Sequence, residues 1–89
     1  MTEPNKPLLE FPCTYPLKAI GKHAEDFEMH IVSIVEQHVP RLDKTAVSTR
    51  PSNGDKYLAV TVTFTAESQA QLDNLYQSLN DSSRVLMLL

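Results

Sequence analysis

Three histidines, one cysteine and a thin scatter of basic residues are the side chains with chemistry to offer in this chain. His23, His30 and His38 fall in one stretch. His23 and His30 share a helix face only if the helix starts early enough to hold both, and His38 lies on or beside that helix's apolar face. A zinc-type site needs several Cys, His or carboxylate ligands converging at fixed distances, and none accompanies these histidines at such spacing. They read as structural or surface groups, so no metal and no cofactor is expected. Cys13 becomes a nucleophile only with a lowered pKa and a base in reach. Lys18 is the nearest basic residue, several positions away along an extended stretch, so Cys13 reads as a small apolar filler. In CTYP it also lacks the second cysteine of a CxxC metal carrier. No catalytic residue is assigned.

The basic residues are more informative. Gly21 and Lys22, in IGKH, are expected between the first strand and the first helix. Backbone N–H groups at a helix N-terminus face an anion there in many proteins. A plain turn glycine is the alternative, and Glu25 and Asp26 compete with any anion at that place. Arg50, Lys56 and Tyr57 flank the turn sequence SNGD, and Lys18 and Lys44 are candidates to join them on one sheet. This is a local concentration of positive charge in a chain with eight basic and eleven acidic residues. It suits an acidic partner or a phosphate-bearing ligand. The candidate binding residues are therefore Lys18, Gly21, Lys22, Arg50, Lys56 and Tyr57.

The formal net charge of −3 argues against DNA or RNA as the ligand, since phosphate-backbone affinity comes from clustered Lys and Arg. Two glycines in the whole chain leave no glycine-rich phosphate loop. A single cysteine excludes an internal disulfide. The start, MTEPNKPLLEFP, is polar and interrupted by proline, unlike a secretory signal. No apolar run reaches membrane-spanning length. A cytoplasmic protein with no membrane contact is expected.

The elements that must position these residues follow from periodicity. Pro4, Pro7 and Pro12 make residues 1–12 an extended arm, and residues 13–89 are expected to form one domain. Residues 13–20 suit a strand with Tyr15, Leu17 and Ala19 on one side and Thr14, Pro16 and Lys18 on the other. Pro16 donates no ladder bond, so its nitrogen should face no partner, or the strand should begin just after it. Residues 24–39 turn helical: Phe27, Ile31, Ile34, Val35 and His38 share a face, and Pro40 stops the run. Residues 43–51 read as a second, polar strand. Asn53 and Gly54 supply positive-φ turn chemistry. YLAVTVTFTA then alternates, with Leu58, Val60, Val62 and Phe64 on one face and Tyr57, Thr61, Thr63 and Thr65 on the other. Ser68 and Gln71 are spaced as a capping box. Leu72, Leu75, Tyr76 and Leu79 continue a second helix, and RVLMLL closes as a strand.

Strand, helix, strand, strand, helix, strand is the ferredoxin-like plan, βαββαβ: an α+β sandwich whose four-stranded antiparallel sheet carries both helices on one face. An RNA-reading sheet of this plan stacks bases on central aromatic residues. Here the open face has Tyr57 at one end and threonines in the middle.

At LLEFPCTYPLKAIG, RPSNGDKY and LDNLYQSLNDSSRVLMLL the chain resembles the YbeD-like family of small bacterial proteins. EFP before the first strand, K-x-I-G at its end and RPSxGxKY in the hairpin carry the resemblance, over residues 8–89. It implies a ferredoxin-like fold similar to the regulatory ACT domains of amino-acid metabolism, a bacterial cytoplasmic protein and a regulatory or binding role. A tie to lipoate metabolism is suspected for that family.

The closing strand carries a further expectation. Strict alternation sends Val85, Met87 and Leu89 to one side and Leu86 and Leu88 to the other, so both sides are apolar. A strand apolar on both sides must be covered on both or it marks an association surface. Leu8, Leu9 and Phe11 of the arm are expected to fold across the sheet beside this strand, with Leu86 and Leu88 as contact or interface residues. A second protomer or another protein is the alternative cover, and the chain is expected to be a monomer or a weak homodimer. The function expected is a non-enzymatic regulatory or adaptor domain that binds a protein partner or a small metabolite. A small hydrolase or phosphatase using Arg50, Lys56 or His23 is the rival from another class, and a weak RNA binder the next.

Overall fold

The alternation from Tyr57 to Ala66 organises the molecule. A computed structural model describes residues 10–89, and in it this stretch is a ten-residue strand. Four strands are present in the described residues: β1 (Cys13–Lys22), β2 (Val47–Pro51), β3 (Tyr57–Ala66) and β4 (Val85–Leu88). They form one antiparallel sheet in the order β2-β3-β1-β4. Two helices, α1 (Phe27–Glu36) and α2 (Gln69–Asn80), complete the βαββαβ order. The fold is ferredoxin-like.

The long pair β1–β3 runs from Cys13 opposite Ala66 to Lys22 opposite Tyr57. Leu17 and Ala19 of β1 and Val60, Val62 and Phe64 of β3 turn to the same side and are buried. Phe27, Ile31 and Val35 of α1 and Leu72, Leu75 and Leu79 of α2 are buried against them. Burying such a side chain contributes about 1.5–3 kcal/mol, so this single layer is what holds so small a domain together. Tyr15 and Tyr76 close one end of it, their hydroxyls 2.7 Å apart. Burial and the Tyr15 hydroxyl raise the Tyr76 pKa well above the ordinary phenol value.

Local chemistry trims the expected boundaries. Helix α1 begins only at Phe27 and ends at Glu36, so it is shorter than 24–39 at both ends. His38 and Val39 lie beyond it, both donating to the Val35 carbonyl in a tightened final turn. The second strand loses residues 43–46 to a short 3-10 turn, because the Asp43 carboxylate accepts both the Thr45 N–H (2.9 Å) and the Thr45 hydroxyl (2.6 Å). Such a side-chain bond competes with a strand ladder. In the hairpin, positive φ falls on Gly54 (78°) and Asp55 (56°), one residue later than expected. Helix α2 begins at its cap as expected: Ser68 Oγ accepts the Gln71 N–H at 3.1 Å. The reciprocal bond differs, since Gln71 Oε1 accepts from the Glu67 N–H instead.

Pro16 sits inside β1 without cost. Lys18 and Leu89 exchange both backbone hydrogen bonds, so the N–H of residue 18 points toward β4. Alternation sends the nitrogen of residue 16 the same way, two residues past the Lys18–Leu89 pair and outside the β4 ladder (Val85–Leu88).

The closing strand does not alternate as expected. A register shift against Ile20 and Gly21 puts Val85 opposite Gly21, Met87 opposite Ile20 and Leu88 opposite Ala19. Val85 and Leu88 therefore pack on the core, while Leu86, Met87 and Leu89 are 55%, 53% and 62% exposed. One extra residue in a ladder breaks the two-residue period locally. Phe11 packs against the core cluster at the start of β1. From there β1 runs six residues, about 20 Å of strand, to the Ala19–Leu88 pair, so Phe11 sits at the end of the sheet away from β4. Leu8 and Leu9 lie outside the described residues.

Candidate binding face

Among the described residues no element covers the side of the sheet away from the helices. It carries Thr14, Pro16, Lys18, Ile20 and Lys22 from β1, Tyr57, Ala59, Thr61, Thr63 and Thr65 from β3, Ser48 and Arg50 from β2, and Met87 from β4. Register orders these into rows. Met87, Ile20, Ala59 and Arg50 run across one row, apolar at the β4 edge and cationic at the β2 edge. Leu89, Lys18, Thr61 and Ser48 form the next row on one side. Lys22 faces Tyr57 on the other side, and Lys56 adjoins Tyr57 at the hairpin. Lys18, Lys22, Arg50, Lys56 and Tyr57 are all exposed.

Five of the six candidate binding residues thus meet on one face or its rim. Among the described residues the ion pairs are Lys44–Glu36 and Arg84–Asp26, and neither involves these cations. Three of the eight basic residues in an acidic chain, Lys18, Lys22 and Arg50, are therefore turned to one side, and Lys56 stands at the hairpin beside them. Their spacing restricts the ligand. Lys18 and Lys22 stand four residues apart, about 13 Å along the strand, and Lys18 and Arg50 are about 12 Å apart by strand rise and separation. Cations spread over such distances match the length of an extended acidic surface.

Gly21 is the sixth, and its expected role does not hold. It lies inside β1 and is buried, not in a loop facing solvent. A Cβ there would run into the Arg84 carbonyl oxygen and come within 2.6 Å of the Phe27 ring. The glycine is required by close packing of β1 against α1 and the approach to β4. The start of α1 is also taken: Asp26 receives both Arg84 terminal nitrogens at 2.7 and 3.1 Å. The Arg84 hydrogen bond holds the Asp26 carboxyl below its ordinary pKa, against a smaller desolvation effect. Arg84 also lies over the Phe27 ring at 5.7 Å.

The histidines serve packing between elements. His30 Nε2 is 2.7 Å from Ser82 Oγ and His38 Nε2 is 2.9 Å from Ser78 Oγ, each joining α1 or its end to the α2 region. His23 Nδ1 lies 3.1 Å from the Asp55 carbonyl and braces the hairpin. The Ser–His pairs are 52 and 40 residues apart in sequence, and no spacing rule announces them. Ser82 Oγ also accepts the Arg84 N–H. Among the described residues no group of His, Cys, Asp and Glu converges as a metal site. Cys13 is a free, half-buried thiol beside the core. No helix among them is long and apolar enough to cross a membrane.

A cleft of about 650 Å³ lies past the end of the β2–β3 pairing, with Arg41, Leu42 and Gln71 in its wall and the open-face residues Thr14, Thr63 and Thr65 along one side. Sequence reasoning did not find it. Two of its polar side chains are committed internally: Gln71 Nε2 donates to the His38 carbonyl at 2.8 Å, and the exposed Asp43 caps its own turn.

Comparison with known proteins adds a lineage. Residues 6–89 match a family model described as "Protein of unknown function (DUF493)". The chain belongs to this family. It is 43% identical to a UPF0250 protein of Nitrosomonas europaea and 42% identical to one of Chromobacterium violaceum, each over all of both chains. The resemblance to small bacterial proteins of the YbeD-like family is confirmed by these relatives. The solution structure of protein HP0495 from H. pylori superposes with a TM-score of 0.72, covering 98% of this chain and 91% of that one. At 14% identity that likeness concerns the fold alone.

Proposed function

We propose that the chain is a non-enzymatic regulatory or adaptor domain whose open sheet face binds an acidic protein surface. One observation carries the reading: Lys18, Lys22 and Arg50 share that side of an acidic chain, with Lys56 at its hairpin end, and none has an ion-pair partner among the described residues. Unpaired, solvated cations contribute little to stability, so their arrangement is better explained by what meets them. Threonines and Ala59 between the cations keep the face flat. Tyr57, 42% exposed, supplies a rigid amphipathic contact of the kind enriched at interfaces. Steering by such a patch raises the association rate and makes binding sensitive to salt. The partner covers the face, and the domain then acts by shifting populations between its free and bound states.

The test is quantitative capture from the native cell extract with wild type and with the double variant Lys18→Glu/Arg50→Glu. An acidic protein retained by wild type, eluted by moderate salt and lost from the variant supports the reading. A partner set unchanged by charge reversal overturns it.

A further inference from the structure

The two edges of the sheet are built differently, and the difference points to how a partner docks. At one edge, β2 carries Ser48, Thr49, Arg50 and Pro51, with a charge and a proline of the kind that block pairing with a foreign strand. At the other, β4 reads VLML, with neither charge nor proline. Leu86, Met87 and Leu89 there are more than half exposed. Because Leu89 directs its backbone groups to Lys18, the N–H and C=O of Leu88 point outward, away from β1. The outer edge of β4 therefore presents backbone groups between exposed apolar side chains.

We infer that the outer edge of β4 is a docking site for an extended acidic segment of a partner protein, added as a fifth strand. This deepens the reading of the open face and rests on it. The commitment to an acidic segment comes from charge complementarity. On the open face, Lys18 flanks Leu89, Ile20 flanks Met87 and Lys22 follows one step beyond. Lys18 and Lys22 are two strand spacings, about 10 Å, from a strand laid against β4. That gap is within the combined reach of a lysine and a glutamate side chain. The rows prescribe a partner pattern of acidic, any, apolar, any, acidic. The two acids have the four-residue spacing of Lys18 and Lys22, and the apolar residue sits against Met87 and Ile20. A second copy of this chain pairing through β4 would offer another VLML and leave both lysines without a carboxylate. Since β4 has only four residues, few ladder bonds form, and the side chains have to supply the discrimination.

The probe is a capped peptide, Thr-Glu-Thr-Val-Thr-Glu-Thr, with a control in which both glutamates are lysines, titrated into the full chain and followed by backbone amide shifts and hydrogen exchange. The acidic peptide is expected to protect the Leu88 amide and to bind at least tenfold more tightly than the control. Lys18→Glu/Lys22→Glu, with its spectrum otherwise unchanged, is expected to erase that difference. Charge-dependent binding that leaves the Leu88 amide unprotected and shifts Ser48 and Arg50 instead overturns strand docking and leaves the open-face reading standing. Equal affinity for the two peptides overturns both.

Discussion

On the helix side of the sheet, β3 buries Leu58, Val60, Val62, Phe64 and Ala66; on the other side the same strand shows Tyr57, Thr61, Thr63 and Thr65. Charge divides along the same plane. Neither helix contains a Lys or Arg, and Glu28, Glu36 and Asp73 lie on them, while the open face holds Lys18, Lys22 and Arg50. One face is closed by apolar packing and fringed with carboxylates. The other is flat, polar and cationic, and nothing in the helix side requires it to be so. Stability thus resides on one side of the four-stranded sheet, and the proposed recognition on the other.

That division can be broken from either side. The largest effect is expected from Leu75→Ala, which empties a fully buried site and should cost about 2–5 kcal/mol in urea denaturation. Gly21→Ala forces a methyl toward Phe27 and the Arg84 carbonyl and should cost about 1–3 kcal/mol; an unchanged midpoint would mean that the close approach is not structural. Tyr76→Phe leaves the Tyr15 hydroxyl without its partner at 2.7 Å, a loss of about 1 kcal/mol. Lys18→Glu/Arg50→Glu should stay within about 0.5 kcal/mol of wild type, because both side chains are exposed and outside the described ion pairs.

The smallest effect concerns Asp26. Its folded pKa lies below the ordinary 3.8 because Arg84 bonds the charged form. The contribution is therefore complete above that ordinary value and is lost as pH falls through the lowered one. Asp26→Asn should melt slightly below wild type at neutral pH, with the gap closing in thermal scans as pH falls below the ordinary carboxylate value. A gap that widens on acidification would contradict the assignment.

Much of this was legible in the sequence. The period of two in YLAVTVTFTA, the helical spacing of Leu72, Leu75 and Leu79 and the Ser68 cap are local signals, and local signals survive folding when tertiary packing agrees with them. The open-face positions of Lys18 and Tyr57 followed from the same alternation. What was hidden depends on contacts far apart in sequence. The partner of Asp26 is 58 residues away, and the need for Gly21 comes from Phe27 and Arg84. The break in alternation at Leu86 arises from its pairing with β1, so no reading of RVLMLL by itself separates Leu88, which packs inward, from Leu86, which does not. Asp43 hid in plain view, because a strand-like composition outweighed one capping carboxylate.

The central claim, that partners meet the cationic face and not the acidic helices, is tested most directly by photocrosslinking in living cells. A photoreactive residue is placed at Thr61, in the middle of the open face, or at Asp73 on α2. Adducts to an acidic protein are expected from Thr61, absent from Asp73, and lost from Thr61 when Lys18 and Arg50 are reversed. Adducts from Asp73 equal to those from Thr61, or Thr61 adducts indifferent to charge reversal, would contradict it.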